Sequence, residues 1–358
     1  MKKKKVIIIG PYPPPIGGIS VHIARLSRYL RECGFKYTVI DESKEIKNFV
    51  IPNYEQVNNL RVWIGKSIFS CKNSIIHYHS RNWYDMFLFC LVSKIHRLKL
   101  IVTLHSFREE PSKFNLFKKL SFKYCIRNVT HFIAVGENEK DKLVRYKCDI
   151  NKISVIPAFI VPRYDIKDDK LIPNLVWNYM KGNDINISAN AFKISFYNKE
   201  DLYGIDMCIN LCYRLKKEYK NKKIGFVFCL PEIGDHNYFE KVKKEIKKKN
   251  IENSFLFVNE RIPLYPVLRK SDIFIRPTNT DSYGVSIAEA IYYDIPSIAS
   301  DVCDRPQGTI LFKSRDQEDL EEKVIDVINN YEQYKAKVEE VQIKDYAEDV
   351  LEAYKCVL

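Results

Sequence analysis

The chain has 358 residues, of which 46% are hydrophobic, so it is long enough for two domains that each bury a core. Its formal net charge of +13 favours an anionic partner such as a nucleotide, a phospholipid surface or a nucleic acid. No apolar stretch approaches the roughly 20 residues that a membrane-spanning helix needs. The lysines at positions 2–5 lead into a strand rather than into a signal peptide. Composition therefore argues against a membrane-spanning chain.

The ten cysteines are scattered, without a C-x-x-C pair or the clustering of a metal site. Cys208 and Cys212 lie four positions apart on a predicted helix, which is more typical of a core than of a ligand pair. A chain of this size does not need disulfides to fold. We therefore expect a reduced, cytoplasmic protein.

The N-terminal segment predicts the opening of a Rossmann-like unit. A buried strand at Val6–Ile9 leads into a proline-rich loop that closes on Gly17 and Gly18. A helix follows, with apolar residues at positions 19, 23, 26, 30 and 33, and Gly34 supplies its C-cap. The two glycines allow a ligand to approach the helix amides, although a plain tight turn would have the same pattern. The G-x-G-x-x-G fingerprint is absent, which argues against an NAD enzyme.

Strand and helix patterns alternate through the rest of the first half, which predicts a parallel, doubly wound sheet. The predicted strands are Tyr37–Ile40, Ile75–His79, Leu100–Leu104, Phe132–Val135 and Ile153–Ile156. The predicted helices are Leu60–Phe69, Trp83–Ile95, Phe114–Ile126 and Glu137–Tyr146. Ligands of such sheets bind beyond the carboxyl ends of the strands, where His77, His79 and His105 fall.

Two observations in this half have alternative interpretations. His77 and His79 share a strand face and could form a metal pair, but no third ligand is evident nearby, so packing or loop contacts are favoured. The helix at 114–127 carries basic residues beside apolar ones. Such a helix can lie on an anionic membrane or can simply cover a core with a solvated face.

Residues 157–190 show no clear period and are predicted to connect two domains, with one short helix near Leu175–Met180. The second domain repeats the alternation. Its predicted strands are Phe192–Phe196, Ile224–Leu230, Phe255–Val258, Ile273–Ile275 and Ser297–Ala299. Its predicted helices are Ile205–Tyr219, Tyr238–Lys248, Leu264–Arg269, Val285–Tyr293 and Leu320–Tyr331, and a last helix is predicted at Tyr346–Val357.

The most informative stretch runs from residue 271 to residue 312. Pro277 ends the strand at Ile273–Ile275 because it has no N–H to donate. Asp281 and Ser282 are good N-caps and predict that a helix begins after them. A helix that begins after a strand provides an anion site, and the carboxylates of Asp281 and Glu289 bracket this one.

This stretch resembles the donor-site signature of glycosyltransferase family 4, whose members have the GT-B fold. Asp281 stands at the first acidic position of the E-x7-E pattern, and Glu289 stands at the second. The resemblance implies that the first carboxylate touches the donor sugar and that Glu289 grips the nucleotide ribose. It also implies that the turn at 282–285 holds sugar or diphosphate, that Gly17-Gly18 lies near the donor phosphates and the acceptor, and that His105 faces the donor sugar.

The chain departs from this family at the phosphate site. Members usually carry an R-x5-K-G arrangement after the first strand of the second domain, but Tyr197 and Tyr203 stand roughly where the Arg and the Lys are expected. The candidate replacements are Lys199, Arg276 and Arg305. No two Asp lie two positions apart, so the D-x-D metal motif of the other main glycosyltransferase fold is missing. A leaving diphosphate without a metal needs such positive charge.

The resemblance predicts an α/β GT-B fold with two Rossmann-like parallel-sheet domains that face each other across a cleft. The expected domains are residues 1–165 on the acceptor side, residues 166–340 on the donor side, and a helix at 341–358 that crosses back to the first domain. The predicted catalytic residues are His105, Asp281 and Glu289. The predicted donor-binding residues are Gly17, Gly18, Lys199, Arg276, Ser282, Tyr283, Gly284, Val285, Ser286 and Glu289.

The implied function is the transfer of a sugar from a nucleotide sugar to an acceptor hydroxyl, with retention of configuration and without a metal. No cofactor is expected, and a UDP-sugar is favoured over a GDP-sugar as co-substrate. The expected acceptor is a cell-surface glycan on a lipid carrier, with peripheral contact between the basic N-terminal domain and the inner face of the cell membrane. A GT-B sugar-nucleotide epimerase and a non-catalytic binding subunit remain alternatives. A nucleic-acid binder has only the net charge in its favour.

Overall fold

The computed structural model describes residues 5–45, 47, 52–67, 71, 73–79, 82–107 and 109–357. The chain divides into two compact units. Unit 1 comprises Met1–Ile160 and Asp345–Leu358, and unit 2 comprises Val161–Lys344.

Unit 1 is built on a parallel sheet that has seven strands within the described residues. The strands are β1 (Val6–Gly10), β2 (Tyr37–Asp41), β3 (Tyr54–Gln56), β4 (Ile75–Tyr78), β5 (Lys99–Leu104), β6 (His131–Ala134) and β7 (Ile153–Val155). The helices are α1 (Gly18–Glu32), α2 (Leu60–Ser67), α3 (Trp83–His96), α4 (Leu116–Asn128) and α5 (Glu137–Arg145). The strand order is β3-β2-β1-β4-β5-β6-β7.

The strand order changes direction at β1. The strands β2 and β3 are added on one side of β1, and β4 to β7 are added on the other side. All five residues of β1 are buried, because helices cover both faces of a doubly wound sheet. Ligands of such sheets bind beyond the carboxyl ends of the strands next to this point, where the loop to Gly17 begins. The predicted elements of this half are confirmed to within two residues. The last two residues of the predicted helix Leu60–Phe69 lie outside the described residues.

Unit 2 repeats this plan with a parallel sheet of six strands within the described residues, in the order β12-β11-β8-β13-β14-β15. The strands are β8 (Ile185–Asn190), the hairpin pair β9 (Phe196–Tyr197) and β10 (Glu200–Asp201), β11 (Ile224–Cys229), β12 (Phe255–Val258), β13 (Ile273–Arg276), β14 (Ser297–Ser300) and β15 (Ile310–Phe312). The helices are α6 (Ile166–Asp169), α7 (Asn174–Lys181), α8 (Ile205–Glu218), α9 (His236–Lys248), α10 (Tyr265–Leu268), α11 (Val285–Tyr292), α12 (Gln317–Asn329) and α13 (Tyr331–Glu339).

The prediction of the first strand of unit 2 was wrong. The central strand is β8, inside the segment that the sequence assigned to the connection, whereas 192–196 leads into the short antiparallel hairpin β9-β10. Polar residues in β8 concealed it, because Asn186 and Ser188 alternate with apolar ones yet are buried. The buried amide of Asn186 donates to Met180 O and accepts from Asn183 Nδ2, so its burial leaves no polar group unpaired.

The last helix, α14 (Ala347–Cys356), belongs to unit 1. Its Tyr354 is fully buried, and the hydroxyl of Tyr354 hydrogen-bonds to His77 Nδ1 at 2.6 Å. Both units therefore have the Rossmann-like, parallel-sheet architecture that the sequence predicted. Among the described helices, none is long and apolar enough to cross a bilayer.

Candidate functional site

A buried cluster of two arginines and one aspartate lies at the carboxyl end of β13. Asp281 Oδ2 accepts from Arg276 Nε at 2.6 Å and from Arg305 Nη1 at 2.9 Å. The three side chains are 11%, 14% and 2% exposed, respectively. The other oxygen of Asp281, Oδ1, accepts from the Ser282 amide at 3.1 Å. The carboxylate is thus held by two guanidinium groups and one amide, and the cluster carries a net charge of +1.

The charge balance of this cluster fixes the protonation state of Asp281. Burial alone would raise its pKa, but the guanidinium groups of Arg276 and Arg305 hold the pKa of the carboxyl well below its usual range. An opposite charge at hydrogen-bond distance favours the ionised form more strongly than burial disfavours it. Asp281 is therefore a carboxylate at neutral pH, and its role as a sugar contact stays a prediction.

Arg276 is oriented by further partners. Its Nη1 donates to Asn190 Oδ1 at 3.3 Å, at the end of β8, and to Ser286 Oγ at 3.2 Å, in the first turn of α11. Its guanidinium carbon lies 5.9 Å from the centroid of the Tyr203 ring. Tyr203 occupies the position at which the family usually has Lys, so a positive charge lies close to the expected place but comes from another strand.

Arg305 is anchored more deeply than Arg276. Its Nε donates to Ser300 O at 2.9 Å, and its Nη2 donates to Thr278 Oγ1 at 3.1 Å. The side chain of Arg305 is 2% exposed and that of Arg276 is 14% exposed, so Arg305 is the more deeply buried partner of Asp281.

The start of α11 differs from the prediction. Its N-cap is Gly284, with φ of 92°, and no described side chain caps the helix. The predicted capping by Asp281 or Ser282 is therefore wrong, because the Asp281 carboxylate is occupied by the arginines. A Cβ on Gly284 would lie 2.9 Å from Arg305 Nη1 and 2.7 Å from Ile287 Cδ1. Glycine at this position permits both the left-handed backbone and the approach of Arg305.

The other predicted residues of this turn lie on or next to α11. Ser282, Gly284, Ser286 and Glu289 are buried, whereas Tyr283 and Val285 are half-buried. Glu289 is only 6% exposed, so its side chain does not lie on a solvated face of α11. After the helix, the backbone at Asp294 is left-handed, with φ of 58°.

Lys199 lines a cavity that Arg276, Asp281 and Arg305 do not line. It is exposed at the turn of the hairpin β9-β10, with φ of 69°. It lines a cavity of 390 Å³ together with acidic and basic side chains that include Asp206 and Arg315. The hairpin itself contacts the loop after β13, because Asn279 Nδ2 donates to Tyr197 O at 3.1 Å.

In unit 1, Gly17 and Gly18 begin α1. Gly17 is extended, with φ of −145°, and its amide donates to Ser20 Oγ at 2.9 Å. A Cβ on Gly18 would meet no atom within 4 Å beyond its chain neighbours and the backbone of α1, so open space lies beside it. The structure thus has room for a ligand at the position that the sequence singled out.

His105 belongs to a cluster of histidines at the carboxyl ends of β4 and β5. Its Nε2 lies 3.0 Å from His79 Nδ1, and its ring centroid lies 5.1 Å from that of His22 on α1. His77 hydrogen-bonds instead to Thr103 Oγ1 at 2.7 Å and to Tyr354, which confirms packing contacts for this residue. Sequence reasoning missed His22, although its place one turn after Gly18 was a usable signal.

Two parallel, doubly wound units with candidate ligand sites at the carboxyl ends of their strands are the features expected of a GT-B glycosyltransferase. Residues 16–163 match the family described as Glycosyltransferase Family 4, and residues 194–343 match the family Glycosyl transferases group 1. The chain therefore belongs to the family-4-like glycosyltransferases of the GT-B fold, and the resemblance found in the sequence is confirmed.

Relatives and solved structures agree with this assignment. The uncharacterized glycosyltransferase MJ1178 of Methanocaldococcus jannaschii is 24% identical over 347 residues, which cover 92% of this chain and 89% of that protein. The structure of Anabaena Alr3699/HepE with UDP superposes with a TM-score of 0.76 at 13% identity, over 98% of this chain and 100% of the other. The structure of WaaG, a glycosyltransferase involved in lipopolysaccharide biosynthesis, superposes with a TM-score of 0.69 at 12% identity, over 96% of this chain and 98% of the other.

Proposed function

We propose that this glycosyltransferase moves a sugar from a nucleotide sugar to an acceptor hydroxyl with retention of configuration, and that it needs no metal ion. The observation that carries the proposal is the ion cluster of Arg276, Asp281 and Arg305 beside the start of α11. A nucleoside diphosphate that leaves the sugar gains negative charge, and fixed positive charge stabilises it.

Arg276 takes over the charge that the usual Arg and Lys pair provides. It lies beside Tyr203, where the family has Lys, and it bonds to Ser286 at the amino end of α11. The helix dipole adds partial positive charge at the same place. Asp281 and Arg305 position the guanidinium group of Arg276, so that little reorganisation accompanies the reaction.

In the proposed reaction the acceptor hydroxyl attacks the anomeric carbon from the face of the leaving group. The bond between that carbon and the phosphate oxygen breaks, the new glycosidic bond forms, and the leaving phosphate takes the proton of the acceptor. Glu289 holds the ribose, His105 meets the donor sugar, and the backbone at Gly17 and Gly18 lies near the phosphates. The protein contributes position and electrostatic stabilisation.

Similar proteins support the choice of substrates. Structures of Anabaena Alr3699/HepE contain UDP and UDP-glucose, which favours a UDP-sugar as donor here. WaaG acts in lipopolysaccharide biosynthesis, which favours a lipid-linked, cell-surface glycan as acceptor.

The surface of α4 supports a place at the inner face of the cell membrane. Leu116, Phe117 and Leu120 are 69%, 75% and 55% exposed. Lys119 and Lys123 are exposed on the same helix. Apolar side chains flanked by lysines suit the interface of an anionic bilayer, where a lipid-linked acceptor resides.

The test is to incubate the purified protein with a panel of nucleotide sugars and lipid-linked acceptors and to follow nucleotide release. Removing one donor to a developing negative charge typically costs 10²–10³-fold in kcat, so Arg276→Gln should lose about 100-fold or more. Arg261→Gln, which removes an exposed arginine paired with Glu232, is the matched control. Excess EDTA should leave turnover unchanged.

The alternative functions, an epimerase and a binding subunit, predict different outcomes of this experiment. Donor hydrolysis or epimerisation without any acceptor would favour an epimerase. Nucleotide binding without turnover on any acceptor would favour a binding subunit. Turnover that Asp281→Ala, Glu289→Ala and Arg276→Gln all leave unchanged would contradict the site.

A further inference from the structure

Three imidazole rings of unit 1 converge at the carboxyl ends of its strands. One ring nitrogen each from His22, His79 and His105 lies within 4.8 Å of the other two. In a tetrahedral site with metal–nitrogen bonds of 2.0–2.1 Å, such nitrogens lie about 3.3 Å apart. Each nitrogen would therefore move by less than about 1 Å to bind one ion.

We propose that His22, His79 and His105 form a binding site for one divalent transition-metal ion of the Zn²⁺ type. Imidazole nitrogen suits Zn²⁺, Co²⁺, Ni²⁺ and Cu²⁺, whereas Mg²⁺ and Ca²⁺ prefer oxygen ligands. Three protein ligands leave a fourth position open for water or a substrate oxygen.

The orientation of His22 is that of a metal ligand. Its Nδ1 lies 2.9 Å from Ala158 O, and a carbonyl can only accept, so Nδ1 carries the hydrogen and Nε2 has the lone pair. Within the described part of the chain, this Nε2 is buried and finds no hydrogen-bond partner. A hydrogen bond from the second ring nitrogen to a carbonyl is the usual support of a histidine ligand.

His79 and His105 are already close to the required geometry. His79 Nδ1 and His105 Nε2 lie 3.0 Å apart and share one hydrogen. An ion that replaces this hydrogen requires one neutral ring to change its tautomer. If that ring is His79, its hydrogen moves to Nε2, which is buried and has no hydrogen-bond partner among the described residues.

The experiment is a titration of tag-free protein with Co²⁺, followed by the visible absorption of nitrogen-bound Co²⁺ and by calorimetry. We expect one equivalent to bind, Zn²⁺ to displace it, and Mg²⁺ to have no effect. His22→Gln and His79→Gln should each weaken binding at least tenfold. His131→Gln is the control, because His131 is a buried histidine of the same sheet that bonds to Ser154.

Two results would overturn the metal site. One is the absence of saturable Co²⁺ binding, and the other is binding that His22→Gln and His131→Gln weaken equally. His105→Gln provides a further variant in case the fully buried positions do not tolerate substitution, because His105 is only half-buried. Circular dichroism of each variant without metal checks that it is folded.

Occupancy of this site has a consequence that rests on the proposed function. An imidazole that binds an ion no longer meets the donor sugar, so Zn²⁺ should inhibit transfer, and His22→Gln should need at least tenfold more Zn²⁺ for the same inhibition. A normal Co²⁺ spectrum without inhibition by Zn²⁺ would contradict the role of His105. A missing Co²⁺ spectrum would contradict the metal site itself.

Discussion

At the scale of single residues, Asp281 determines the charge balance of the candidate site and should also contribute to the stability of the fold. Its carboxylate neutralises one of two buried guanidinium groups, and Arg305 is only 2% exposed. Removing one partner of a buried ion pair leaves an uncompensated charge, which is costly. Asp281, which the proposed function assigns to the positioning of Arg276, should therefore also stabilise the fold of unit 2.

Asp281→Asn should lower the free energy of unfolding by about 3 kcal/mol at neutral pH, because two buried arginines lose their counter-charge. Urea denaturation measures this change. Asp304→Asn is the control, since this exposed aspartate lies next to Arg305 in sequence and its replacement should change stability by less than about 0.5 kcal/mol.

The contribution of Asp281 should depend on pH in a defined direction. Its pKa in the folded protein is depressed, so the stabilisation is fully present above the unfolded value of about 3.9 and is lost as the pH falls toward the folded value. Wild type and Asp281→Asn should therefore converge in stability below about pH 4. A difference that stays constant through this range would show that Asp281 is not an ionised partner of the arginines.

A substitution of Gly18 can test the approach of a ligand without disturbing the fold. A Cβ there would meet no atom within 4 Å beyond its chain neighbours and the backbone of its own helix, so Gly18→Ala should leave the unfolding midpoint unchanged or raise it slightly. If the donor phosphates approach this backbone, the added methyl group should raise KM or lower kcat at least tenfold. Gly65→Ala is the matched control, because Gly65 has equally open space on α2. Unchanged kinetics in both variants would contradict the predicted approach at Gly18.

At the scale of elements, the alternation of strands and helices could be predicted because each buried strand is an apolar run. The central strand β8 could not, because the burial of Asn186 depends on partners that tertiary structure supplies. For the same reason the sequence offered Arg305 only as a candidate. It bonds to a carboxylate 24 positions away, a contact that depends on the return of the chain after β14.

A separate prediction at this scale concerns membrane binding by the exposed apolar residues of α4. Replacing Leu116, Phe117 and Leu120 together by Gln should abolish sedimentation with anionic vesicles, because the apolar anchor is lost while the lysines remain. The unfolding midpoint should be preserved, since all three side chains are exposed. Replacing Leu171 and Leu175, which are exposed in unit 2, provides the control. Binding that persists in the α4 variant would contradict a role for this helix.

At the scale of the whole molecule, the net charge of +13 and the two family matches agree with a protein that handles anionic substrates. Net charge alone does not distinguish a nucleotide from a membrane or a nucleic acid. The proposed function supplies that distinction, because it assigns the buried cluster beside the start of α11 to a nucleoside diphosphate.

The most direct measurement compares the binding of UDP and uridine to the wild-type protein and to Arg276→Gln by calorimetry. The two ligands differ only in the diphosphate, so a residue that contacts it should affect one and spare the other. We predict that Arg276→Gln weakens the binding of UDP at least tenfold and changes the binding of uridine less than twofold. An equal effect on both ligands, or on neither, would contradict the assignment of Arg276 to the donor diphosphate.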